Sequence, residues 1–478
     1  MEYGTGLHVT ETNIPGLLVL HLPVHGDNRG WFKENWQREK MMALGLPDFR
    51  PVQNNVSYNR HAGTTRGIHA EPWDKLVSVA HGRIFGAWVD LRAGESFGTT
   101  FTLQLDPSTA VFVPYGVGNS FQTLEDHTAY SYLVNDHWSQ EHQQHYTFLN
   151  LADESAAIAW PISLDNAELS EKDKLHPRLA DVSPMKPLRT LVIGANGQVG
   201  KALRRRFVDR ADVNFHSREH LDLEDHDAVL AYDWSAYSTI INAAAYTAVD
   251  AAESQEGRRR AWSVNAAAPG VLARVAVEHQ LTLIHLSSDY VFDGDTPVHD
   301  ESEPFSPLGV YGQSKAAGDL AVQSLPRHYI LRTSWVVGDG TNFVKTMMRL
   351  AENGVSPSVV EDQFGRLAFA DDIARAIDHL LATRAAFGTY NVSCDGKSAS
   401  WAELAGAVYS LCGKDPTMVT GVSTAEYSKN TSAAPRPRHG TLNIAKIVAT
   451  GFVPSNMHQA LVDYVTRIRS QEASKDTH

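Results

Sequence analysis

The apolar run Thr190-Leu191-Val192-Ile193 ends in Gly194-Ala195-Asn196-Gly197-Gln198-Val199-Gly200, and a helical pattern begins there. A strand that stops at glycine and turns straight into a helix admits few architectures. Thr239-Ile240-Ile241 and Leu281-Thr282-Leu283-Ile284 repeat the strand downstream, with alanine-rich helical stretches between them. This alternation predicts a parallel, doubly wound α/β sheet from about Leu188 onward. Glycines at 194, 197 and 200 let backbone N–H groups close on a pyrophosphate at the helix N-terminus. The turn therefore reads as a dinucleotide site formed by Gly194, Asn196, Gly197, Gln198, Val199 and Gly200.

The first half follows another grammar. Leu17-Leu18-Val19-Leu20, Leu76-Val77-Ser78-Val79, Ile84-Phe85-Gly86-Ala87-Trp88-Val89, Phe101-Thr102-Leu103-Gln104-Leu105 and Ala110-Val111-Phe112-Val113 are short apolar runs broken by glycine or Asp/Asn turns. Many short strands at this spacing predict an all-β sandwich or a cupin-like jelly roll. Between Pro177 and Pro187 the chain carries prolines and no periodicity, which reads as a linker and gives domains 1–185 and 186–478. A length of 478 residues accommodates both. The net charge of -13 offers no general attraction to nucleic acid or anionic membrane, so neither is expected as a partner. Only Cys394 and Cys412 occur, which excludes a disulfide scaffold and suits a reducing compartment. Met1-Glu2-Tyr3-Gly4-Thr5 lacks a basic start followed by an apolar run, and no stretch reaches the ~20 apolar residues of a membrane span. The expected location is the cytoplasm.

Two further segments of the second half carry chemistry. Ser287-Ser288-Asp289-Tyr290 follows an apolar strand, and Tyr311-Gly312-Gln313-Ser314-Lys315 puts a phenol and an ammonium one helical turn apart. A phenol with a pKa near ~10 is a poor acid–base group at neutral pH, but an adjacent ammonium and a cationic oxidised nicotinamide favour the phenolate. Tyr311 can then exchange a proton with a carbonyl or alcohol oxygen while hydride moves, with Lys315 beside it and Ser288 holding the same oxygen. These runs, together with Asn242-Ala243-Ala244-Ala245-Tyr246-Thr247-Ala248-Val249-Asp250, Arg332-Thr333-Ser334-Trp335 and Asp362-Gln363-Phe364-Gly365, resemble dTDP-4-dehydrorhamnose reductase of the extended short-chain dehydrogenase/reductase family, over about Leu188 to Val465. The resemblance implies a Rossmann-type fold, Ala243, Ala244 and Ala245 along the cofactor, and Ser288, Tyr311 and Lys315 as catalytic residues. It also implies Asp289, Tyr290 and Trp335 as substrate contacts. The family usually has Thr at position 288; the hydroxyl is kept.

In the first half, metal-binding barrels carry a His-x-His strand, whereas this chain has His69 alone, and Asn119 stands where such barrels place a later histidine. No metal is expected. Asp27-Asn28-Arg29-Gly30, Arg66-Gly67-Ile68-His69, Lys75, Tyr132 and Leu169-Ser170-Glu171-Lys172-Asp173 occur in the order and near the spacings of dTDP-4-dehydrorhamnose 3,5-epimerase, which the chain resembles from about Gly16 to Asp173. The chemistry suits the residue types. Protons flanking a 4-keto group need a base of near-neutral pKa, and His69 oriented by Asp173 supplies one. Lys75 can stabilise the enolate oxygen. The resemblance gives Tyr132 as the acid on the opposite wall. It implies Arg29 and Arg66 on the diphosphate, where a guanidinium fork suits phosphate oxygens, and substrate contacts from Phe32, Glu34, Gln53, Asn55, Asn119 and Trp138. The family usually reads His-Gly-Phe where this chain has Asn119-Ser120-Phe121.

The two resemblances imply one bifunctional enzyme of dTDP-L-rhamnose and cell-wall polysaccharide biosynthesis, acting on dTDP-4-dehydro-6-deoxy sugar nucleotides, with the barrel as a homodimer. Two alternatives stay open: an active reductase with an inactive or single-centre epimerase barrel, and a sugar-nucleotide sensor without turnover. The reductant expected is NADPH, with NADH as a weaker substitute. The candidate second strand Val213-Asn214-Phe215-His216 is followed by Ser217 and Arg218 rather than by the acidic residue that disfavours a 2′-phosphate. Asp222 completes the expected cofactor contacts.

Overall fold

Short segments build the first half of the chain into antiparallel strands, alternating between core and solvent at Gln53–Asn59 and buried almost throughout at Ile84–Asp90 and Thr109–Val113. The structure, a computed structural model, describes residues 6–137, 145–429 and 433–475 and divides into two units, Met1–Pro187 and Leu188–His478. In the first unit β1 (His8–Glu11), β2 (Leu18–His21), β3 (Val24–Asp27), β4 (Gly30–Lys33) and β5 (Gln53–Asn59) come first. They are followed by β6 (Thr65–Ala70), β7 (Lys75–His81), β8 (Ile84–Asp90) and β9 (Thr100–Leu105). The last four are β10 (Thr109–Val113), β11 (Val117–Thr123), β12 (Thr128–Val134) and β13 (Thr147–Phe148). One sheet has the order β1-β2-β10-β7-β12-β5 and the other β13-β6-β11-β8-β9, while β3 and β4 form a separate hairpin. Val19, Val77, Val111 and Tyr130 from the first sheet meet Ile84, Trp88 and Phe121 from the second in one core. This is the jelly roll that the apolar runs predict.

The expected linker is not free chain. Val182 and Met185 are buried in the barrel core, and Met185 exchanges backbone hydrogen bonds with Leu91 and Ala93 at 2.8 Å each. Proline punctuation there marks irregular backbone that is packed, because its apolar side chains fill the barrel. The division falls between Pro187 and Leu188, two residues beyond the expected edge.

In the second unit β14 (Arg189–Ile193), β15 (Val213–His216), β16 (Tyr237–Asn242), β17 (Thr282–Ser288) and β18 (His328–Thr333) join the strand Gly388–Val392 in a parallel sheet of order β15-β14-β16-β17-β18 with Gly388–Val392 outermost. Alternate residues cover its two faces. Val192, Ile241 and Ile284 pack with Leu203 and Ile377, whereas Leu191, Ile240 and Leu283 pack with Leu272 and Val322. Each such aliphatic side chain contributes about 1.5–3 kcal/mol by leaving water. The direction of winding changes at β14, whose neighbours are β15 and β16, and open α/β sheets bind ligands beyond the carboxyl ends of the strands at such a point.

Candidate active sites

A cavity of about 810 Å³ in the first unit is lined from β5, β6, β7, β11, β12 and residues 168–173. Gly67, at φ +123°, lets β6 run close to β11: a Cβ there would sit 2.5 Å from Ser120 Cβ. That approach carries Arg66 and His69 to the cavity. His69 Nε2 lies 3.2 Å from Asp173 Oδ1. Asp173 is placed by Ser170, whose hydroxyl caps the helix Glu171–Lys174 by accepting from Asp173 N–H at 3.1 Å. Burial alone would raise the Asp173 carboxyl, but its hydrogen bonds with His69 and Ser170 hold it below the usual range. It is therefore an acceptor at neutral pH, fit to orient His69. On the other side Lys75 Nζ pairs with Glu71 Oε2 at 2.5 Å, and Glu71 also accepts from Trp73 Nε1 at 2.7 Å. Lys75 Nζ is 5.7 Å from the centre of the Tyr132 ring. Burial, with the Glu71 charge adding to it, pushes the Tyr132 phenol up, so it holds its proton until a base forms nearby. Asn119 pairs with His69 across β11 and β6, and its Oδ1 accepts from Trp88 Nε1 at 2.9 Å and Tyr130 OH at 3.3 Å.

Gln53 donates to Asn55 on edge strand β5 at 2.8 Å, and Arg66 Nε donates to Asn59 at 3.1 Å. Arg29, Phe32 and Glu34 do not line this cavity. Arg29 pairs with Asp27 on the β3–β4 hairpin and its side chain is 85 % exposed; Phe32 is 66 % exposed, and Glu34 binds Lys40 at 2.6 Å. Trp138 lies outside the described residues. Glu71 and His176 escaped the sequence reading. Ligand atoms of His69, Asp173 and His176 come within 4.8 Å of one another, a donor set of the kind zinc accepts, and the expectation of a metal-free barrel did not take His176 into account.

In the second unit Gly194, at φ +83°, brings β14 against the end of β16: a Cβ there would lie 2.6 Å from Ala244 N. The helix Gln198–Arg206 starts at once, and Gln198 Oε1 in its first turn is buried without a partner. Open backbone at a helix start and an unsatisfied amide oxygen fit a dinucleotide. Past β15, Ser217 Oγ is 2.9 Å from His220 Nδ1; Arg218 pairs with Asp222 at 3.0 Å and Glu224 at 2.6 Å. Asn265, in the π-helical turn Ser263–Ala267, holds both N–H and C=O of Tyr246 (2.9 and 3.0 Å) and donates to Ser314 Oγ at 3.1 Å. It ties the loop after β16 to the helix Val310–Gln323. That helix presents Tyr311 and Lys315 beside Ser288 at the end of β17. Burial drives the Tyr311 phenol up to about 12, although Ser288 acts to lower it. Burial thus keeps the phenol protonated, the form that donates a proton during reduction. Ser288 Oγ donates to Asp289 at 2.9 Å, and burial pushes Asp289 up to about 7. Tyr290 meets Tyr311 edge-on at 5.4 Å; Trp335 instead stacks on Trp401 at 3.6 Å.

Comparison with known proteins matches the family dTDP-4-dehydrorhamnose 3,5-epimerase to residues 11–181 and the family RmlD substrate binding domain to residues 188–470. An RmlC homolog of Streptococcus pyogenes is 54% identical over 179 residues, 36% of this chain and 90% of that protein. A dTDP-4-dehydrorhamnose reductase of Aggregatibacter actinomycetemcomitans is 36% identical over 290 residues, 57% of this chain and 97% of that protein. The crystal structure of dTDP-4-dehydrorhamnose reductase from Bacillus anthracis in complex with NADP is 33% identical, covers 58% of this chain and 98% of its own, and superposes with a TM-score of 0.54. The chain thus belongs to two families at once, to the dTDP-4-dehydrorhamnose 3,5-epimerases through its jelly roll and to the RmlD reductases through its parallel sheet.

Proposed function

We propose that the chain catalyses two consecutive steps on one sugar nucleotide. The barrel epimerises dTDP-4-dehydro-6-deoxy-D-glucose at C3 and C5, and the second unit reduces the C4 ketone to give dTDP-L-rhamnose. One ketone serves both steps, acidifying the flanking C–H bonds and then accepting hydride. The observation that carries this reading is the pairing of His69 with Asp173 in the same cavity as Lys75 and Tyr132, on the chain that also holds Ser288, Tyr311 and Lys315.

In the barrel His69 removes a ring proton, Lys75 faces the enolate oxygen, and Tyr132 protonates from the other wall. Arg66 meets the diphosphate. A nicotinamide dinucleotide, held by the Gly194–Gly200 turn and the Ala243–Ala245 loop, supplies hydride when bound. Tyr311 donates its proton to the C4 oxygen, Ser288 holds that oxygen, and Lys315 compensates the charge left on Tyr311. Asp289 and Tyr290 flank the sugar, and Ser217, Arg218 and Asp222 meet the adenosine end, with NADPH preferred. With His69 Nε2 and Asp173 paired to each other for proton transfer, the barrel works without a resident metal despite His176 beside them, and as a homodimer.

Solvent deuterium entering C3 and C5 without reductant, followed by NADPH consumption, is the expected result. Reduction of pre-epimerised substrate without exchange would leave an active reductase beside an idle barrel. Binding with neither exchange nor NADPH consumption would make the chain a sensor.

A further inference from the structure

His285 on β17 has no part in the steps above, yet its ring is 0 % exposed and Nε2 lies 3.4 Å from Lys315 Nζ. Its other nitrogen, Nδ1, is 3.2 Å from the Asn242 amide nitrogen. The Asn242 orientation is set by its neighbour, because Oδ1 accepts from Ala244 N–H at 3.2 Å and Nδ2 is left to face the ring. An N–H donating to Nδ1 leaves the neutral imidazole with its proton on Nε2, aimed at the lysine. Lys315 Nζ also donates to Leu286 O at 2.5 Å. A neutral amine satisfies both contacts, giving N–H to the carbonyl and accepting from Nε2–H through its lone pair. An ammonium has no lone pair and sets N–H against N–H.

We propose, on the reductase reading above, that His285 is a positioning residue that sets the charge of Lys315, holding it as the amine over more of the neutral-to-alkaline range than an apolar neighbour would. Burial acts in the same sense: it brings Lys315 down to about 8 and holds His285 well below the ordinary imidazole range, where the ring stays neutral. The charged group opposing this is Asp319, one turn along the same helix, which favours the ammonium. Asp319 is itself held by Arg332 of β18 at 3.1 Å. Tyr311 shares the helix face one turn back. His285 is thus the dipole that offsets Asp319. When Tyr311 gives up its proton, an ammonium at Lys315 stabilises the phenolate, so reduction slows as Lys315 deprotonates.

Two readouts on the full chain test this. The chemical shift of the Lys315 ε-carbon in the 13C-lysine-labelled chain, titrated by NMR without cofactor and assigned with Lys315→Arg, reads the amine fraction; kcat/KM for reduction of pre-epimerised substrate reads the alkaline limb. Both midpoints are expected near 8 in the wild type and about one pH unit higher in His285→Leu and His285→Phe, two apolar replacements of different shape of which either suffices if the other does not fold. Unmoved midpoints in a folded variant, with rate lost equally at every pH, would overturn the proposal and leave His285 a packing residue. A wild-type chain that consumes no NADPH would instead overturn the reductase reading, and the NMR midpoints would still decide the role of His285.

Discussion

At the scale of single residues, the contacts make the proposed roles separable. His69→Ala removes the base and leaves the second unit untouched, so deuterium entry at C3 and C5 is expected to fall by about 10²–10⁴-fold, with reduction of pre-epimerised substrate unchanged. NMR of the recovered sugar nucleotide checks both. Asp289 gives a pH prediction. Its native carboxyl keeps the proton up to about 7, whereas the unfolded chain releases it near the ordinary value of 3.8. The unfolded state therefore binds fewer protons between those values, and stability declines as pH rises through that window. Asp289→Asn should remove roughly 2–4 kcal/mol of this decline, read as the difference in urea midpoints at pH 5 and pH 8 between variant and wild type. Residues carried by a local motif, such as His69 and Tyr311, were legible in the sequence. Glu71 was not, since nothing in Glu71-Pro72-Trp73-Asp74-Lys75 distinguishes the carboxylate that pairs with Lys75 from the one that does not. His176 and His285 were hidden for a related reason: a lone histidine becomes informative only when the chain folds it against Asp173 or Lys315.

Among elements, the apolar runs announced the strands of the barrel interior and of the parallel sheet. β5 was harder to see. Its sequence Gln53-Asn54-Asn55-Val56-Ser57-Tyr58-Asn59 is mostly polar because it is an edge strand, paired among the described residues with β12 alone and half turned to solvent. The π-helical turn Ser263–Ala267 was equally silent, though it seats Asn265 between the Tyr246 backbone and Ser314. Loss of these bonds in Asn265→Ala should free the Ala243–Ala245 loop, raise KM for NADPH about tenfold and lower stability by about 2 kcal/mol. Kinetics and chemical denaturation of one preparation test both. At the end of β15, Arg218 is already engaged by Asp222 and Glu224, so a 2′-phosphate must share it with two carboxylates. Arg218→Ala is expected to lower the NADPH to NADH ratio of kcat/KM, mainly through NADPH; an unchanged ratio would move the phosphate contact elsewhere.

For the whole molecule, the division after Pro187 sets where the chain can be cut. Fragments 1–187 and 188–478 keep Met185 in the barrel core, and their mixture should convert the dehydro-glucose nucleotide to the rhamnose nucleotide; a cut that removes Met185 should cost the barrel about 2–5 kcal/mol. Light scattering of fragment 1–187 should give twice its chain mass if the barrel carries the dimer. The change of grammar marks two domains; the packing of Val182 and Met185 was not legible, because proline-rich backbone looks alike whether it hangs free or packs. The peptide bond from Pro187 to Leu188 also fixes a stoichiometry. Every molecule that opens the ketone to epimerisation brings one reductase to remove it. With separate enzymes the standing pool of 4-keto sugar would depend on how much of each the cell makes. Here the pool is set by the two sites' rate constants, and doubling the amount of protein doubles the flux capacity of both steps together.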